Sequence, residues 1–297
     1  MARQTDQRTK DTEEVGQRYR FDHLSLSDVM KDMYYRKDDP GPGDRVPDFD
    51  LPTLGGGRFR SADLGETGPA LLIFGSSTCP VTDSAAPGLN ELHTRFGDRV
   101  RFVMVNVREA HPGKAVPQPK ALDEKTAHAE QLRDFYGFEF EVAVGDIDGT
   151  FHRALSPKPN SAYVLGKDGT ILFRAQWAND TKALAEALEA VVAGESPRRS
   201  QSGGLIRPML VMRNIAPVLD RAGSGAWRDM WRAVPLWRPW RSPSRSFGFA
   251  RRSPRAREPD ACVRRSESRQ SREQRTRLRY FAGRPGMLLS FEPGFPL

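Results

Sequence analysis

Two short runs, PALLIF at 69–74 and VRFVMVNV at 100–107, most restrict what this chain can fold into. Both are near-continuous apolar stretches. A strand with one wet face alternates in polarity, whereas a strand apolar on both sides is covered on both faces. Thr82–Phe96, between the two runs, has the character of a helix. A strand–helix–strand crossover of this kind leaves the two strands parallel. Lys120–Tyr136 reads as a second helix, with Leu122, Ala129, Leu132 and Tyr136 near one face and Gly137 as its C-cap. EVAVGD at 141–146 reads as a further strand. SAYVLGKDGTILFRAQW reads as a hairpin turning at Lys167, Asp168 and Gly169, and Thr181–Ala193 as a closing helix before Gly194. FDLPTL and GGGRFRSADL suggest a short hairpin ahead of the Ala70–Phe74 strand. The order β-α-β-α-β-β-α predicts an α/β fold, a central mixed sheet with helices on both faces.

Four segments follow along the chain. Residues 1–45 are polar and charged, with Phe21–Tyr35 expected to form a short amphipathic helix before the DDPGPGD punctuation. Residues 46–194 form the α/β domain. Residues 195–240 suggest two amphipathic helical pieces broken at Pro217 and Gly223, with Leu205–Trp231 packing on the domain. Residues 241–297, rich in Arg, Ser and Pro, are expected to be disordered. Charge divides the same way. Residues 1–194 carry 24 Lys and Arg against 30 Asp and Glu, and residues 195–297 carry 22 Arg, no Lys and 8 acids. The overall charge of +8 therefore describes neither part. No run of about 18 apolar residues suggests a membrane span. The N-terminus lacks the apolar core of a secretory signal, so a cytoplasmic location is expected.

The two cysteines, Cys79 and Cys262, make no disulfide framework, and no histidine spacing suggests a closed zinc site. Cys79 lies where a strand ends and a helix begins. Amide groups at a helix N-terminus favour thiolate, and Pro80 suits the first helical turn because it has no N–H to lose there. Ser76, Ser77 and Thr78 form a small hydroxyl-rich connection beside the sulfur. The second parallel strand runs into NVREAHPG and brings Glu109 and His111 to the same sheet edge. Glu109 either orients His111, or both face the thiol. His128, on the following helix, either completes the cluster or packs as a helix residue.

FGSSTCP together with VREAHPG resembles the redoxin (AhpC/TSA-type) thioredoxin-fold family, and more narrowly its iodothyronine-deiodinase-like branch. The resemblance spans about Val46 to Ala193. It implies a thioredoxin-like fold. It puts Cys79 in the place of the catalytic chalcogen, Ser76 and Thr78 as its hydroxyl neighbours, Glu109 and His111 as the proton-handling pair, and His128 as the second histidine. The chain departs from these families at three places. Asn160-Ser161-Ala162 stands where deiodinases have an arginine. Leu72 and Ser76 stand where peroxiredoxins have proline and threonine. Thr82 stands in the resolving position of a Cys-x-x-Cys motif.

The expected protein is a thiol-dependent oxidoreductase with one nucleophilic cysteine. Its substrate is a small electrophile: a peroxide, a disulfide or, least favoured, a carbon–halogen bond. It binds no cofactor or metal, and its partner is an external thiol reductant, a thioredoxin-like protein or a low-molecular-weight thiol. Nucleic acid is not the expected partner. It enters only through the alternative reading, a redox-sensing binding protein whose Arg-rich tail docks nucleic acid or a protein. A third reading, an inactive scaffold, would leave the thiol near its free pKa of about 8.5.

Overall fold

The strand Ala70–Gly75 is buried along its whole length, as its unbroken apolar sequence requires. A computed structural model describes residues 15–203 and 208–234, all within the unit Met1–Trp240. In chain order the elements are α1 (Leu26–Met33), β1 (Asp50–Pro52), β2 (Arg58–Arg60), α2 (Leu64–Thr67), β3 (Ala70–Gly75), α3 (Pro80–Phe96) and β4 (Arg101–Asn106). There follow α4 (Leu122–Tyr136), β5 (Glu141–Val144), α5 (Thr150–Leu155), β6 (Ala162–Leu165), β7 (Ile171–Ala175), α6 (Thr181–Val192), α7 (Pro208–Ala222) and α8 (Ser224–Ala233). Cys262, Trp237, Trp240 and the tail 241–297 lie outside the described residues.

The sheet has the order β5-β4-β3-β6-β7. β3, β4 and β5 are parallel, with Ile73 opposite Met104 and Gly75 opposite Asn106. β6 and β7 join antiparallel on the other side. This is the expected thioredoxin-like mixed sheet. Alternation along the strands divides the core in two. Leu71, Ile73, Phe102 and Met104 pack with α3, α4 and α6 on one face. Leu72, Phe74, Val103 and Val105 pack with Phe49, Phe59, Phe151 and Tyr163 on the other. At roughly 25 cal/mol per Å2 of apolar surface, covering both faces of the central strands is the main stabilising term.

Two local expectations are corrected. α7 runs through Pro217 without breaking, because the ring lies on the exposed side, where water can reach the carbonyl left without a donor. The other expected break, at Gly223, is present, and its φ of 95° suits glycine. The N-terminal helix is shorter than the Phe21–Tyr35 segment, starting after Ser25, whose side chain and that of Asp28 cap each other's backbone N–H groups.

Candidate functional site

β3 ends at Gly75, where a Cβ would come within 2.7 Å of the Met104 sulfur and 3.1 Å of Thr82 Oγ1. A side chain here would have to displace Met104 and Thr82, and the chain runs from this point through Ser76–Thr78 to the start of α3. Cys79 is the N-cap of α3 and Pro80 its first residue. The Cys79 amide donates to the Ser76 carbonyl at 3.3 Å, and the Asp83 amide to the Cys79 carbonyl at 3.1 Å. Thr82 Oγ1 accepts from the Ser76 amide at 3.4 Å and from Asn160 Nδ2 at 2.9 Å. Asn160 Nδ2 also donates to the Phe74 carbonyl, and Asn160 Oδ1 accepts from the Ala178 amide. Residue 160 therefore ties the helix carrying the thiol to β3 and to the residues after β7.

The sulfur is not open to water. Cys79 is 2% exposed and lies in an apolar cluster with Val81, Ala110, Trp177 and Val211, flanked by Met33 and Ile215. Burial pushes the thiol pKa above its ordinary value. The Thr82 and Val81 amides and the Thr82 hydroxyl act in the opposite sense without offsetting it. The expectation of a thiolate at neutral pH is therefore corrected. The helix amides are present, but Val211 and Ile215 of α7, with Met33 of α1, complete a dry lining in which charge is costly.

Glu109 does not pair with His111. Its carboxylate accepts from the Thr78 amide at 2.9 Å and from the Thr78 hydroxyl at 2.6 Å, and its other oxygen lies 3.1 Å from His128 Nδ1. Gln118 closes the loop, accepting from the Glu109 amide and donating to its carbonyl. Of the expected set His128 meets Glu109, and its carbonyl accepts from Ser77 Oγ at 3.4 Å. The Ser76 hydroxyl accepts from the Ala110 amide. His111 is held only by its backbone, its amide donating to Thr78 Oγ1 at 3.2 Å. Its buried Nδ1 has no hydrogen-bond partner, and burial with the nearby Arg108 lowers its pKa to about 4. The imidazole is neutral at pH 7.

Several residues of this site went unread in the sequence. Lys158, in the SPKPN segment before β6, is fully buried, and its ammonium sits 3.4 Å from the centre of the Trp177 ring. Lys158 Nζ donates to the Asp32 carbonyl at 3.1 Å. The Asp32 carboxylate is bound by Arg108 at 2.6 Å. A charged residue beside two prolines reads as a solvated loop, so no local signal marks it. A cleft of about 350 Å3 opens nearby, lined by Ser77, Leu132, Phe135, Tyr136 and Arg221 among others, but Cys79 is not in its wall. Among the described residues no group of His, Cys, Asp and Glu could hold a metal ion, and no helix is long and apolar enough to cross a membrane.

Fold and site together define a thioredoxin-like domain with a single cysteine capping the helix after its central strand. Residues 42–173 match the AhpC/TSA family model. A search of the curated proteins found no match. Among solved structures, the chain is similar to an uncharacterized conserved protein from Geobacillus kaustophilus, at 17% identity and a TM-score of 0.45, covering 57% of this chain and 90% of that one. It is similar to the peroxidoxin BcpB from Mycobacterium tuberculosis, at 19% identity and a TM-score of 0.40, covering 52% and 99%. It is also similar to a secreted Mycobacterium tuberculosis disulfide oxidoreductase homologous to E. coli DsbE, at 19% identity and a TM-score of 0.34, covering 57% and 95%.

Proposed function

We propose that the protein is a thiol-dependent oxidoreductase in which Cys79 attacks a small electrophile, with peroxide the favoured substrate and an external thiol the reductant. The observation that carries this reading is the position of Cys79 as N-cap of α3, its sulfur facing the Val81 and Thr82 amides at the C-terminal edge of parallel strands. In the first step the sulfur bonds to one peroxide oxygen and the O–O bond breaks. The sulfur becomes a sulfenic acid, and the departing oxygen takes a proton to leave as water or alcohol. One external thiol then displaces water to form a mixed disulfide, and a second releases Cys79 as thiol.

Sealing of the sulfur favours a peroxide over a bulky protein disulfide. Thr82 occupies the resolving position with its oxygen already engaged by Ser76 and Asn160, which supports an external reductant over an internal dithiol. A carbon–halogen substrate, implied by the narrower deiodinase-like resemblance, remains the least favoured, since Asn160 takes up the region of that family's arginine as a packing group. Glu109 pairs with His128 in place of His111, and Thr78 links that pair to the cysteine loop. Cys79→Ser should abolish thiol-dependent peroxide consumption, and intact-mass analysis after substoichiometric peroxide should place the added oxygen on Cys79. Undiminished consumption by the Ser variant would overturn the mechanism.

A further inference from the structure

A sealed, protonated thiol needs a base that is sealed in with it. Glu109 is committed to Thr78 and His128, and neutral His111, with a pKa near 4, is too weak a base to serve. Lys158 is different. Burying an ammonium costs several kcal/mol unless it is paired, yet among the described residues Lys158 has no carboxylate partner. The nearest carboxylate, that of Asp32, is bound by Arg108, and Lys158 reaches only the Asp32 carbonyl. An ammonium has three donors, and this one fills a single acceptor while resting on the Trp177 ring.

Both neighbours lead to the sulfur. Trp177 belongs to the apolar cluster that holds Cys79, and Met33, the residue after Asp32, packs against that same cluster. We propose that Lys158 is the proton acceptor of Cys79, the two side chains forming one buried proton-exchanging pair. The proposal rests on the oxidoreductase reading and supplies the base that reading lacks.

The electrostatics agree with this placement. Burial lowers the Lys158 pKa to about 7, while Asp32 and Cys79 raise it. Moving a proton from sulfur to nitrogen creates no net charge in the dry site, so the exchange avoids most of the cost of ionising either group alone. The other charged or titratable groups against the pair include Asp32 with Arg108, Tyr35, and His152, whose Nε2 lies 2.7 Å from the Lys158 carbonyl oxygen. As the sulfur attacks peroxide, its proton passes to the Lys158 amine. The O–O bond breaks, sulfur is oxidised by two electrons, and the ammonium returns the proton to the departing oxygen. Lysine ends as it began, and the products are sulfenic acid and water or alcohol.

Two titrations test this on the full-length chain, without peroxide. The ultraviolet absorbance of the Cys79 thiolate, taken as the difference from Cys79→Ser, should move up by about one pH unit or more in Lys158→Met, roughly a tenfold loss of thiolate at a given pH. Methionine is a similarly long apolar side chain that removes the ammonium resting near the Tyr35 and Trp177 rings. The Lys158 15Nζ resonance should titrate in two steps in the wild type and in one in Cys79→Ser, because interacting groups share their titration. The second measurement holds even where Lys158→Met folds poorly. An Nζ curve indifferent to the thiol, or a thiolate midpoint unmoved in folded Lys158→Met, overturns the pair. Coupled titration in a protein whose Cys79→Ser variant still consumes peroxide would leave the pair standing and remove the function.

Discussion

Removing the Asp83 carboxylate should unseal the thiol. Asp83, in the first turn of α3, accepts from the Tyr136 hydroxyl at 2.9 Å, from Arg221 Nη2 at 2.7 Å and from Asn214 Nδ2 at 2.8 Å. Asn214 and Arg221 belong to α7, the helix that lays Val211 and Ile215 over the cluster around Cys79. A neutral hydrogen bond contributes about 1 kcal/mol net and one to a charged group about 1.5–3. Arg221 is part-exposed, so water recovers some of what Asp83→Ala removes. The loss falls mostly on the docking of α7 and should come to about 2–3 kcal/mol. At 1.4 kcal/mol per tenfold, the fraction of molecules with α7 lifted rises roughly 30- to 150-fold. The assay is the rate at which Cys79 reacts with a bulky aromatic disulfide, in a Cys262→Ala background that leaves one thiol. A urea titration confirms that the variant is folded. A rate within about threefold of the parent, in folded protein, would refute the view that this helix is what covers the sulfur.

Two further outcomes follow from the same geometry. His111 has its folded pKa depressed from 6.5 to about 4, so the stability tied to its neutral form is complete above pH 6.5 and is lost as pH falls towards 4, at most about 3 kcal/mol. Urea titrations across that range should show a flatter acid decline in His111→Gln than in the parent; parallel curves would count against the assignment, His152, whose pKa burial also lowers, contributing to the decline that remains. Gly113→Ala would put a Cβ 2.2 Å from the Ala222 carbonyl oxygen, a backbone atom that itself accepts from the Ala115 amide. It should cost about 1–3 kcal/mol by thermal or urea unfolding, and a neutral effect would show that the loop and the α7–α8 corner are not in contact in solution.

The strands, the crossover and the location of the thiol were legible because they are local. Short unbroken apolar runs rich in β-branched residues suit covered strands, and a cysteine followed by proline after a strand suits the cap of the next helix. The partner of Glu109 was not legible, because residues 78 and 128 reach it by packing rather than by spacing. The same holds for Lys158, whose neighbour Asp32 lies 126 residues away and whose neighbour Trp177 lies beyond the β6–β7 hairpin. The ionisation of Cys79 shows the division most clearly. Local sequence supplies the amides that favour charge, but a helix more than a hundred residues later, with one from the N-terminal segment, supplies the apolar cover that opposes it. Amide dipoles act over one turn and are written in the adjacent residues; desolvation depends on everything that surrounds an atom, and only the folded chain decides that.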